Sequence, residues 1–520
     1  MSLKDWPAGF ITKDQVVPSG PYEDSTASGI WTLDQASHYA KQGNWPTAGN
    51  VEPAFQVYMI QSDASNASGS VNQQTVVPNW YYQHTDGVIY TTPNGSGLNN
   101  VQTVTNPTNM ITKLTSAGDG IDAVNNIWGS TSGGDLYSVY PYRGSDPSTN
   151  LFATAYGYYY AYNQNSLWFH TLDGSLNKVK NFSWQYSNWY LGTNLQMYTK
   201  NGGSNDYYLI FADYASSPSN GHNIRLCTTN LTGTQQSFPG GASGVTIGGS
   251  NNNGTTLKGH VKTGDVFYIL CNSSEGINPG GNQDVVMLIK YDMSSGHQWT
   301  RNHYTTSQNN YASYCCELDT SENVYAAGRV RKNGNWEPLI FSYSNSGSLR
   351  WEKTFAANAE TRGGVVINDR LFLAMTYNPG TGTKIYLMEV DTSNGALIWQ
   401  RVVNVASGYS YTALDNCLQE DKDGKLALNF KLADTGSVIQ GDGVCFATGI
   451  DLDGSVGGGV VGSALTYATT TDITFANYTS GTNNTSLGFG TFTPGSSSDY
   501  TGSELNTSSV QQRVTNINNT

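Results

Sequence analysis

Short apolar runs recur along this chain, each opening on a turn residue or polar break. They read VIYT after Gly87, YYYAY after Gly157, YYLIF after Asp206, VFYILC after Asp265, VYAAG after Asn323, LFLAM after Arg370 and KLALNF after Gly424. Runs of four to six residues rich in Tyr, Val, Ile and Phe predict strands, not helices. A second series interleaves with the first: polar turns that end in glycine and lead into Trp or another apolar residue. It is clearest in KYDMSSGHQW (290–299), FSYSNSGSLRW (341–351) and EVDTSNGALIW (389–399), and degenerate in KLTSAGD, HTLDGSL, CTTNLTG and GIDLDGSV. The turn glycines are Gly118, Gly174, Gly233, Gly296, Gly347, Gly395 and Gly454, separated by 48 to 63 residues. A strand-built repeat of about 50 residues predicts a β-propeller. Two interleaved series of seven members predict seven blades, with each landmark run as the inner strand and a fourth strand in the variable stretch between units.

The turn chemistry has a physical reading. Glycine accepts the positive φ of a tight turn, and Asp, Asn or Ser at the start bonds back onto the backbone. Trp299, Trp351 and Trp399, which follow three of the turns, are placed to cover the gap between neighbouring blades. Composition agrees with an all-β body: 58 Gly, 34 Tyr and 12 Trp in 520 residues, with only 12% charged. The body is read as residues 51–462.

The two ends differ from it. Residues 1–50 carry one helical signal, in GIWTLDQASHYAKQGNWP. Thr32 is an N-cap with Gln35 three residues on, Gly43 suits the C′ position and Pro46 stops continuation, so a helix is expected from about Leu33 to Gln42. A helix that short is marginal alone and needs a docking surface. Trp31, Leu33, Tyr39 and Trp45 are the residues expected to supply it. Residues 463–520 are Ser-, Thr- and Asn-rich with alternating apolar positions, as in ALTYATTTDITFANYTS, and predict a β-extension that packs on a neighbour and contributes to ring closure.

Charge and motifs narrow the function. The net charge is −13 and no basic run stands out, which argues against nucleic-acid binding. The longest apolar runs, VFYILC and VVMLI, fall far short of the roughly 18 residues of a membrane span. The opening MSLKDWPAGF lacks the apolar core of a secretory signal, so folding in a cytosol is expected. The six cysteines sit mostly in strand text, without zinc spacing. Alternation along the strand is expected to turn Cys315 and Cys316 to opposite sides, leaving one open to thiol reagents. His297 and His303 read as cross-strand neighbours, and EDKDG (420–424) and DLDG (451–454) as hairpin turns, since neither continues to the bidentate Glu of a calcium loop. No nucleophile elbow, phosphate loop or dinucleotide fingerprint is present, and no catalytic residue, metal or cofactor is expected. A carboxylate pair drawn from different blades would leave no local trace, so glycan cleavage stays an alternative.

The N-terminal passage SGPYEDSTASGIWTLDQASHYAKQGNWP resembles a segment shared by virion structural proteins of marine bacteriophages, those of cyanobacteria above all, through Ala27–Gln35 and 43–46. The body resembles quinoprotein-like propellers through its Asp-x-x-x-Gly turns and following Trp residues. Quinone-dependent alcohol dehydrogenases place a bond between adjacent cysteines beside their cofactor, but Cys315 and Cys316 lie in ordinary blade text. The resemblances imply a non-enzymatic virion component, made in the host cytoplasm, in a tail, baseplate or vertex appendage. Its implied partners are other virion proteins, further copies of itself and a host-surface glycan. The alternatives are a glycan-binding or glycan-cleaving tail component, and a free bacterial propeller.

Overall fold

The computed structural model describes backbone strands between Gln56 and Asn516. Side chains are described chiefly within residues 255–273, 285–303, 315–355, 359–404, 417–430, 447–455 and 467–478, with isolated positions from 198. All regular structure among the described residues is β, in antiparallel sheets that stand face to face as the blades of a propeller. Three consecutive sheets are four-stranded meanders. The first runs through Thr255–Thr263, Val266–Ser273, Val285–Asp292 and Gly296–Tyr304. The second runs through Tyr311–Leu318, Val324–Lys332, Asn335–Tyr343 and Leu349–Phe355. The third runs through Glu360–Ile367, Arg370–Tyr377, Lys384–Val390 and Leu397–Val405. The sheet after them takes three strands from Tyr409–Glu420, Leu426–Asp434 and Gly443–Ile450, and its fourth, Gln56–Ser65, from the opposite end of the sequence.

The apolar runs are the second strands of these sheets, not the inner ones. The first strands, such as Thr255–Thr263 and Glu360–Ile367, are the ones that lie beside each other across the blades. Their text, TTLKGHVKT and ETRGGVVI, is polar enough to read as loop. The run YYYAY is also displaced, since the strand in that place is Leu151–Tyr159 and contains Gly157 near its end. The helix expected at 33–42, with Trp31, Leu33, Tyr39 and Trp45, lies outside the described residues.

A second strand is buried on both faces because each face meets a different sheet. In Val266–Ser273, Phe267, Ile269 and Cys271 pack with Ile210, Ile224 and Leu226 of the preceding sheet, which contains the paired strands Asp206–Ala215 and His222–Asn230, while Tyr268 and Leu270 pack with Val324, Ala326 and Phe341 of the next. The same geometry corrects the expectation for the cysteine pair. Cys316 faces the 255–304 sheet and Cys315 the 360–405 sheet, so alternation does separate them, yet both faces are interfaces and both thiols are buried. Burial raises both above the usual thiol range. A Cβ added to Gly364 would lie 2.3 Å from Cys315 Sγ, so the adjacent strand passes there only as glycine.

The polar C-terminal region runs backward around the propeller, adding one short outer strand to sheet after sheet. Leu465–Thr469 pairs with Leu397–Val405, Phe475–Asn477 with Leu349–Phe355 and Gly481–Asn483 with Gly296–Tyr304. Phe489–Phe492 then pairs with Gly244–Ile247, Ser497–Ser498 with Lys178–Tyr186 and Val510–Asn516 with Gln56–Ser65. These strands belong to this chain's own sheets. Their polarity follows from the role: they supply backbone hydrogen bonds to exposed edges and need little core. The belt is pinned where it crosses from the 360–405 sheet to the 311–355 sheet. Ile473 inserts among Trp351, Tyr386 and Val402, 2% exposed. Gln400 grips its backbone from both sides, Nε2 donating to Ile473 O at 2.9 Å and Oε1 accepting from Ile473 N at 3.1 Å. Tyr386 donates to Asp472, and Phe475 stacks on Phe355 at 5.3 Å. Ile473→Ala is therefore expected to cost about 2–4 kcal/mol in denaturant unfolding, the loss typical of a buried isoleucine. A change under about 0.5 kcal/mol would mean that the belt is not held there.

Candidate functional site

Each well-described junction between sheets is locked by one indole. Trp299 Nε1 donates to Asn345 O at 3.0 Å, Trp351 Nε1 to Thr392 O at 2.9 Å, and Trp399 Nε1 to Leu452 O at 3.2 Å. In every case the acceptor is the second residue of the next sheet's glycine turn. The glycine of that turn then lies against the ring. An added Cβ would sit 3.0 Å from Trp299 at Gly347, 2.6 Å from Trp351 at Gly395 and 2.8 Å from Trp399 at Gly454. Gly296 opens the series and would meet nothing within 4 Å. The described turn glycines all hold positive φ, from 72° to 86°. Gly118, Gly174 and Gly233 fall between strands of earlier sheets, outside the described residues.

A cation completes the lock. Arg301 and Arg401 lie 5.3 Å above the rings of Trp299 and Trp399, and their Nε groups donate to Gly347 O and Gly454 O at 2.7 and 2.8 Å. Lys353 holds the corresponding place beside Gly395. Sequence reasoning missed this partner, although Trp-Thr-Arg, Trp-Glu-Lys and Trp-Gln-Arg repeat it two residues after each Trp.

The junctions diverge in the residue across the strand from the Trp, which is Lys290, Ser342 and Glu389 in turn. Glu389 is taken by a forked bond from Arg370, both arms 2.7 Å. Ser342 accepts from Arg350, which also donates to Tyr325 OH. Lys290 instead reaches across the junction, donating to Asn345 O and Oδ1. Asn345 Nδ2 donates in turn to Glu322 at 2.6 Å. Glu322 stands at φ 58°, in the slot that Gly424 fills in the matching turn of the 409–450 sheet. A side chain there costs roughly 1 kcal/mol relative to glycine. Between these groups opens a polar cleft of about 600 Å³, whose lining includes Lys290, Gln298, Trp299, Ser321 and Ser346. Burial draws the Lys290 ammonium below its usual range, against the pull of Glu322 and Asp292.

Other candidate chemistry is consumed by structure. His303 is fully buried, stacked on Phe341, with Nδ1 2.7 Å from Glu352 Oε1 and Nε2 3.0 Å from Tyr343 OH. His297 and His303 share one strand, so they are not cross-strand neighbours. Asp421 of the EDKDG turn spends its carboxylate on the backbone N–H groups of Asp423, Lys425 and Gly449. Among the described residues no cluster of three metal-ligating side chains occurs.

No protein-family model and no curated protein sequence matches this chain. Solved structures similar to it include an ulvan lyase, a polysaccharide lyase bound to a GlcA–Rha3S unit, with 9% identity over 76% of this chain and 94% of that one, TM-score 0.38. The WD40 domain of SCAP from fission yeast has 8% identity over 76% and 95%, TM-score 0.35, and a mutant of the Synechocystis apocarotenoid oxygenase 10% over 80% and 93%, TM-score 0.28. Likeness at this level says nothing of ligand or reaction.

The lock generates a paired expectation. Gly296→Ala costs only the strain of positive φ, about 1 kcal/mol, whereas Gly395→Ala adds displacement of the Trp351 ring and should cost about 1–3 kcal/mol more. Equal losses in thermal or denaturant unfolding would contradict the account of the ring contact.

Proposed function

We propose that this chain is a non-enzymatic structural component of a bacteriophage particle, a tail, baseplate or vertex appendage built on a seven-bladed propeller. The N-terminal phrase over Ala27–Gln35 and 43–46 carries the reading. Seven blades are supported by three further antiparallel sheets, over residues 77–128, 134–186 and 189–247. These stand in sequence between the first strand and the better-described sheets, and the joining of Gln56–Ser65 to Gly443–Ile450 supports ring closure. A belt that occupies the outer edges of successive sheets suits a rigid platform working outside a cell.

In this reading residues 1–50, led by Trp31, Leu33, Tyr39 and Trp45, dock the propeller on another virion protein, and further copies assemble beside it. The turn face is left to meet the host surface. The cleft beside Trp299 favours a second reading, in which the chain also retains a host glycan there. Mass spectrometry of purified particles should detect the chain at a fixed copy number, and deleting residues 1–50 should leave a folded propeller that no longer enters them. Absence from the particle, or normal assembly of the truncated chain, would refute the respective halves.

A further inference from the structure

The junctions share one lock, so what distinguishes the first of them is not explained by locking. At the second and third junctions the polar groups facing the turn are consumed internally, by the Arg350–Ser342–Tyr325 contacts and by the Arg370–Glu389 fork. At the first they are only partly consumed. Lys290 makes two bonds to Asn345 and keeps a third N–H. Gln298 spends its amide protons on Ser295 Oγ and Gly296 O, which leaves its carbonyl oxygen open toward the cleft. Ser321 Oγ makes no hydrogen bond among the described residues, and Ser346 Oγ shares bonds only with the exposed hydroxyls of Ser344 and Ser348. The cleft thus offers one ammonium donor, one carboxamide acceptor and two hydroxyls that can donate or accept.

That set matches the hydroxyl groups of a sugar, each of which donates once and accepts twice. An aromatic stacking platform is missing from it, because Trp299 is only 8% exposed, with Gly347 and Arg301 against its ring and Tyr268 and Tyr343 beside it. An anionic ligand fits poorly beside Glu322 and Asp292 on a chain of net charge −13. A further mark of the site is Glu322, a residue in a left-handed slot whose carboxylate orients Asn345 and through it Lys290.

We propose that the cleft between the 255–304 and 311–355 sheets binds the hydroxyl groups of a neutral saccharide. The inference deepens the host-surface contact of the reading above and rests on it. The test uses the full chain on immobilised oligosaccharides ending in glucose, galactose or mannose, with a uronic-acid polysaccharide as the charged comparator. Retention is expected on a neutral member and not preferentially on the acidic one. Gln298→Ala and Ser321→Ala, neither part of the lock, should each weaken it by up to about tenfold without moving the unfolding midpoint. Glu322→Gly should weaken it while the midpoint holds or rises, an outcome that a purely structural role for Glu322 would not give. Variants that bind like the parent would place the contact elsewhere and overturn the site, leaving the host-surface role intact. No retention of the parent on any neutral member, or preference for the acidic one, would overturn the saccharide assignment itself. Detection of the chain in purified particles is read separately, so failure of the virion reading is distinguishable from both.

Discussion

An indole ring resting on a residue without a side chain joins each well-described sheet to the next, and the architecture depends on that contact. A sheet in this fold is apolar on both faces and cannot stand alone, so its spacing from its neighbours must be fixed all round. Hydrophobic burial is strong but non-directional. The lock adds direction. Trp351 bonds to Thr392 O with its ring against Gly395, and Trp399 to Leu452 O with its ring against Gly454. The guanidinium groups of Arg301 and Arg401 then hold each ring and a carbonyl of the next sheet's turn together.

With the faces fixed, the outer edges remain as the exposed liability of the sheets. At all but the 77–128 sheet the belt answers it with the least material: strands of two to seven residues that run counter to the order of the blades. Running backward means that the last residues pair with the first strand, Val510–Asn516 with Gln56–Ser65, which itself completes the sheet of Gly443–Ile450. The two ends of the propeller are thereby stitched into one sheet. The Ile473 plug and the Gln400 grip show how a polar segment is held without a core of its own.

What was legible in the sequence was local chemistry. Asp391, Gly395 and Trp399 sit within nine residues of one another, and their turn is written in side chains that bond or yield to nearby backbone. Alternation also gave the correct division of Cys315 and Cys316 between two sides, though not that both sides are interfaces. The inner strands were misplaced because Thr255–Thr263 is polar text, and the tyrosines after Gly157 imitated a strand start. The belt's route was not legible at all, since a strand as short as Ser497–Ser498 has no period and its partner lies more than 300 residues away. The candidate cleft escaped for a related reason: Lys290 comes from one sheet and Ser321 and Asn345 from two separate turns of the next, and a glutamate in a glycine slot has no sequence signature.

The central claim is that ring and glycine are energetically one contact, and a double-mutant cycle on Trp399 and Gly454 tests it most directly. Each single change to alanine should destabilise the full chain. With Trp399 already removed, Gly454→Ala should cost only the strain of positive φ, giving a coupling energy of about 1 kcal/mol or more. Losses that add within about 0.3–0.5 kcal/mol would contradict the lock as the organising interaction.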